Sequence, residues 1–260
     1  MKFKVILSTL WLLMSLQAVA GVKTEVVEYK EGKTGLQGFI AFDDSVKGPR
    51  PAVLIVHQWM GLTDNEKMRA QMLAEKGYVA FAVDIYGKGV RASSPEAAGK
   101  LAGQYKGNRK LYRDREMAAY NFIKKDKRVD PQHIVVIGYC FGGMGALEMG
   151  RAGVPLAGFV SFHGDLSNPS PKDAKNFKGP VLVLHGAIDP YTKDQVSGFM
   201  AEMNEAGVDY QFLSYANAVH AFTQKEAGND VSKGAAYNEK ADKRSWEAFM
   251  AFLHEVAPVK

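Results

Sequence analysis

The 260-residue sequence holds a single cysteine, Cys140, so no disulfide can form within the chain and its stability must come from a buried core. Beyond the first 20 residues no apolar run approaches the roughly 20 residues that a membrane-spanning helix needs. Charge of one sign is also lacking. A formal balance of +5 is a weak argument for a polyanionic partner, and no nucleic-acid binding is expected. The basic run KKDKR at 124–128 closes a predicted helix, where lysine and arginine complement the helix dipole. The sequence has no H-E-x-x-H, no P-loop, and no His/Cys/Asp/Glu cluster with metal-ligand spacing. Its glycine-rich GGMGALEMG falls inside a predicted helix, not between strand and helix as a dinucleotide fingerprint requires. Function without metal or other cofactor is the expectation.

What is present begins with MKFKVILSTLWLLMSLQAVAG. Lys2 and Lys4 precede an apolar run from Val5 to Leu16, and Ala18-Val19-Ala20 supplies an A-x-A site. This pattern predicts a secretory signal peptide, residues 1–20, and a periplasmic or secreted mature protein with no membrane span after cleavage. Loss of Lys2 and Lys4 lowers the balance by two, to +3. Residues 21–260 suit one domain, expected to be monomeric.

Runs rich in valine and isoleucine at 51–57, 78–84, 133–139 and 179–186 read as buried parallel strands. The segments 155–164 and 209–215 add a fifth and a sixth. Helical patterns lie between or after them at 65–76, 113–124, 144–151, 193–206 and 240–256. Strand and helix therefore alternate, which predicts an α/β fold: a doubly wound, mostly parallel sheet with helices on both faces. TEVVEYK and LQGFIAF fit an edge hairpin around EGKTG. The segment 88–110 is the least regular and is expected as an excursion above the sheet, with the position of a lid.

Gly138-Tyr139-Cys140-Phe141-Gly142 is a G-x-nucleophile-x-G pattern placed where a strand passes into a helix. A sharp turn there exposes the thiol, and the helix N-terminus favours its thiolate. A thiol nucleophile needs a base, and the base an orienting acid. Asp189 follows the strand VLVLHG, and His220 stands in the loop before the last helix. The order Cys140, Asp189, His220 is the nucleophile, acid, base order of the α/β-hydrolase scaffold. Trp59, Tyr86, Phe141, His163 and Phe222 are candidates for a mostly apolar pocket wall.

GYCFGG, LHGAIDP, VHAF, VHQWMGL and VDIYGKG, together spanning most of residues 35–256, resemble the dienelactone hydrolase family of α/β-hydrolase enzymes. The resemblance implies Cys140 as nucleophile, His220 as base and Asp189 as its partner. It also implies an oxyanion hole from the backbone amides of Trp59 and Phe141. Gln58 stands where the family has a glutamate near the nucleophile, and Lys88 where it has an arginine for a substrate carboxylate; Gln224 falls near a second arginine position. Because a bidentate arginine is not replaced by lysine without loss, these departures count against the dienelactone itself as substrate. The function implied is a cofactor-independent hydrolase of small esters or lactones. The alternative is a small-molecule binder or thiol redox protein on the same fold.

Overall fold

The computed structural model describes residues 21–259, and the expected signal segment 1–20 lies outside the described residues. Eight strands join in one sheet: β1 (Val22–Glu31), β2 (Thr34–Asp43), β3 (Arg50–Val56), β4 (Val79–Val83), β5 (Val129–Tyr139), β6 (Gly158–Phe162), β7 (Val181–Gly186) and β8 (Tyr210–Tyr215), in the order β1-β2-β4-β3-β5-β6-β7-β8. The first two form the antiparallel edge hairpin, and β2 pairs antiparallel with β4. From β4 to β8 every neighbour is parallel, as valine- and isoleucine-rich runs buried on both sides require.

Six α-helices cover the sheet: α1 (Asp64–Ala74), α2 (Pro95–Gly107), α3 (Arg109–Ile123), α4 (Phe141–Arg151), α5 (Val196–Ala206) and α6 (Glu239–Val256). Alternation along β3 divides its side chains between two cores. Ala52, Leu54 and Val56 pack with Tyr112, Ile123, Leu147 and Phe199 from α3, α4 and α5. Val53 and Ile55 pack on the opposite face with Leu73, Phe249 and Leu253 from α1 and α6. The fold is that of an α/β hydrolase. No helix among the described residues is long and apolar enough to cross a membrane.

Three expectations are corrected in detail. The segment 88–110 is mostly helical, because Ser94 accepts from the Ala97 amide at 3.2 Å and Pro95 occupies the first turn of α2, an N-terminal signature that fits helix entry. Helix α4 begins at Phe141 instead of 144, so Cys140 is its N-cap. The basic run starts at the C-cap of α3 and ends with Arg128 paired to Asp126 and Glu25 and lying over the Phe42 ring.

Arg151 anchors α4 from beneath. It is fully buried, with Glu148 at 3.1 Å and Glu202 at 2.9 Å, while Arg113 of α3 reaches Glu148 at 2.9 Å. These ion pairs tie α4 to α3 and α5.

Candidate active site

The chain runs from β3 to β4 on one side of the sheet and then returns to place β5 on the other side of β3. That reversal opens a crevice at the C-terminal ends of β3 and β5, the usual ligand position in open α/β sheets. Cys140 follows β5 and the Gln58-Trp59 loop follows β3, so both stand at this crevice.

Cys140 has φ 56° and ψ −112°, a left-handed backbone that costs a non-glycine residue about 1–3 kcal/mol. The turn closes only because its neighbours are small. A Cβ on Gly138 would strike the backbone of Gly142, and one on Gly142 would strike the carbonyls of Val56 and His57. The strain leaves the thiol standing clear of the helix that starts beneath it.

Two loops converge on this thiol. His220 Nε2 lies 3.0 Å from Cys140 Sγ, and its Nδ1–H donates to Asp189 Oδ2 at 2.8 Å. Asp189 is fully buried at the end of β7, and its other oxygen accepts from the Tyr191 amide at 2.9 Å. The Tyr191 ring stands edge-on to the His220 imidazole, centroids 5.5 Å apart.

These contacts reverse what burial alone would do. Burial would raise the Cys140 thiol, but the His220 charge and hydrogen bond, with Lys106 and the Phe141 amide, hold it below its ordinary value. Burial would likewise lower His220, yet the facing sulfur and Asp189 push it up to about 10. The directions agree on a thiolate–imidazolium pair.

The loop after β3 is tied down through its carbonyls. His57 Nδ1–H donates to the Gln58 carbonyl at 2.6 Å, and its Nε2 accepts from the Ile85 amide at 3.3 Å. These partners fix a neutral imidazole, consistent with burial lowering the His57 pKa. Tyr86 Oη donates to the Trp59 carbonyl at 2.8 Å, and Ala92 N–H to that of Met60 at 3.0 Å. The buried Glu66 carboxylate accepts from Thr63 N–H at 2.7 Å and from Gln58 N–H at 3.5 Å. Among the hydrogen bonds of the described residues the Trp59 amide takes no part.

A cavity of about 930 Å³ opens above the thiol. Of the residues expected there, Gln58, Trp59, Cys140, Phe141, His220 and Gln224 line it. Gln58 makes no side-chain hydrogen bond to the thiol. Four others are placed elsewhere. Lys88 is exposed on the outside, 2.6 Å from Glu28. His163 is fully buried behind His220, its Nε2 2.8 Å from Thr223 Oγ1, because a positive φ of 40° turns the chain back under the site. Phe222 packs against His163 in the core, centroids 5.1 Å apart. Tyr86 is buried beneath the Trp59 loop and supports it from below.

Sequence reasoning passed over Lys106 on α2, Asp165 after β6, and Tyr191 and Thr192 after β7, which also line the cavity. The Ser-Pro-Glu entry to α2 was a usable signal for the helix that delivers Lys106.

The fold and this arrangement are those of an α/β hydrolase. Comparison with known proteins places the chain further. The family model for the dienelactone hydrolase family matches residues 36–257. A protein of Aquifex aeolicus named "Putative carboxymethylenebutenolidase" is 30% identical over 241 residues, which cover 88% of this chain and 97% of the relative. Protein usf of Aquifex pyrophilus is 30% identical over 239 residues, covering 89% and 98%. The crystal structure of a dienelactone hydrolase-like promiscuous phosphotriesterase from metagenomic libraries superposes with a TM-score of 0.85 at 35% identity, over 91% of this chain and 99% of that one. The chain belongs to the dienelactone hydrolase family.

Proposed function

We propose that this chain hydrolyses small carboxylic esters or lactones with Cys140 as nucleophile, His220 as acid and base, and Asp189 as the group that orients His220. Membership of the dienelactone hydrolase family makes it an ester or lactone hydrolase. The observation that carries the mechanism is the run of two short contacts, Cys140 Sγ to His220 Nε2 at 3.0 Å and His220 Nδ1 to Asp189 Oδ2 at 2.8 Å, at the floor of an open cavity.

The Cys140 thiolate attacks the acyl carbon, and the carbonyl π electrons move onto oxygen. That oxyanion is received by the amides of Phe141 and Trp59, two fixed donors that can lower the barrier by several kcal/mol. Collapse of the tetrahedral adduct breaks the bond to the leaving oxygen, which takes the proton on His220 Nε2. Neutral His220 then removes a proton from water as it attacks the thioester, and the acid leaves with the thiolate–imidazolium pair restored.

Replacement of Cys140 by alanine is the test, with p-nitrophenyl butyrate and a five-membered lactone as substrates. A fall in kcat/KM of about a thousandfold or more is expected; wild-type turnover in the variant would overturn the mechanism.

We also propose, from the pattern of residues 1–20, that the protein is exported and begins at Gly21. N-terminal sequencing of protein recovered from outside the cytoplasm checks this, and an intact Met1 on that material would refute it.

A further inference from the structure

Apart from the His220 imidazolium, the lysine whose charge acts on the reacting sulfur is already matched. Lys106 Nζ, at the C-terminal end of α2, lies 2.8 Å from Asp165 Oδ2. The carboxylate is held in place independently, because its Oδ1 accepts from the Ser167 amide at 3.0 Å. Its side chain is 17% exposed and that of Lys106 is 42%. Burial would raise the Asp165 pKa, but the Lys106 charge and hydrogen bond and the Ser167 donors bring it down to about 2, so the carboxylate is ionised throughout the working range. At the exposed rim stand Asp64, Glu226 and Lys233. Lys106 and Asp165 cancel, Asp64 is paired with Lys67 at 2.9 Å, and Glu226 and Lys233 are of opposite sign, so the wall carries no net positive charge.

A free carboxylate on a substrate entering this cavity would find a lysine whose charge is spent on Asp165. It would also lose hydration with no net positive charge on the wall to offset the loss. The one outer lysine expected to receive such a group, Lys88, is engaged with Glu28 and does not line the cavity. The apolar faces of Trp59, Phe141 and Ala221 line the remainder and favour an uncharged acyl chain or lactone ring.

We infer that the Lys106–Asp165 pair sets the charge specificity of this cavity, admitting uncharged esters and lactones and disfavouring those that carry a free carboxylate. The inference rests on the ester or lactone hydrolase reading above and names the substrate class of the same site.

The test uses two substrates of matched shape, the mono-p-nitrophenyl ester of adipic acid and the same ester with its free acid converted to the primary amide. For the wild type, kcat/KM is expected to favour the amide by about tenfold, the size that a nearby, partly solvated unit charge supports. Asp165→Asn frees Lys106 and is expected to raise the acid-to-amide ratio several-fold. Lys106→Met leaves Asp165 unmatched and is expected to lower it. The double variant, with the same wall charge as the wild type, is expected to return the ratio toward the wild-type value. Taking the ratio at one pH cancels any change in thiol activation. Equal or faster cleavage of the acid by the wild type, or a ratio unmoved in both single variants, overturns the inference while Cys140-dependent turnover stands. Absence of Cys140-dependent turnover of both esters overturns the parent reading and this inference with it.

Discussion

The phenol of Tyr86 donates to the main-chain carbonyl of Trp59 across 2.8 Å, joining the end of β4 to the loop after β3. The same loop is held by His57 through the Gln58 carbonyl. With both carbonyls engaged, the Trp59 amide takes part in no hydrogen bond among the described residues, as the proposed oxyanion donor requires. Tyr86→Phe removes one tie and leaves a part-buried carbonyl unpaired, at about 1 kcal/mol. The expected result is a three- to thirtyfold lower kcat with little change in KM, read from steady-state ester hydrolysis, since the loss falls on a donor used by the oxyanion more than by bound substrate.

The charge state of Cys140 is open to direct chemical measurement. The thiol is held below its ordinary value and His220 is raised to about 10, so thiolate persists on the acidic side of where a free cysteine would be protonated. Iodoacetamide should alkylate the wild type at a lower pH than an ordinary free thiol requires. In His220→Ala the main opposing charge is gone and burial dominates, so the profile should move to higher pH and the rate at neutral pH fall by tenfold or more. Identical profiles for the two proteins would show that the 3.0 Å contact does not activate the sulfur.

Asp165 contributes to stability as well as to the cavity wall. Its folded pKa, about 2, lies below the ordinary value of 3.8, so its contribution is present above about pH 5 and is lost as pH falls through the folded value. Lys106 is 42% exposed, and solvent screening reduces the worth of the pair to about 1 kcal/mol. Urea titrations should show wild type above Asp165→Asn by that margin at neutral pH. The gap should close on approach to about pH 2.

Arg151 is the sharper stability probe. Its guanidinium is fully buried between Glu148 and Glu202, and Arg151→Met would take from the buried Glu202 its ion-pair partner, while Glu148 keeps Arg113 at 2.9 Å. A loss of about 3–5 kcal/mol is expected, measured as a lower urea midpoint, because an unmatched buried charge costs more than the intact pair contributes. Changing all three residues to well-packed apolar side chains should recover much of that loss.

The parallel strands were legible because burial on both faces demands unbroken runs such as AVLIV at 52–56. The chain order of Cys140, Asp189 and His220 was legible because each follows an element whose end the sequence marks. Side-chain direction was not. His163 and Cys140 both come just after a strand, yet one is turned under the site and the other stands above it, a difference in backbone path that residue identity does not encode. Lys88 was misplaced for a related reason, since a long flexible side chain goes to whichever carboxylate the fold brings near, here Glu28. The helix α2 was hidden by Gly99, Gly103 and Gly107, each costing about 1 kcal/mol of helix propensity. Burial of Ala98, Ala102 and Tyr105 overrides that cost.

Cys140 and His220 are separated by 80 residues of sequence, and the sheet between them is complete only when β7 and β8 have docked on β6. Until that moment the cysteine is an ordinary thiol with a distant histidine. Non-local strand pairing of this kind is slow to form, and on the proposed mechanism the sulfur gains its partner only once that pairing is made. An ordinary thiol is only a few per cent ionised at neutral pH, so a partly folded chain is expected to react with an electrophile more slowly than a finished one when the pH is held below neutral.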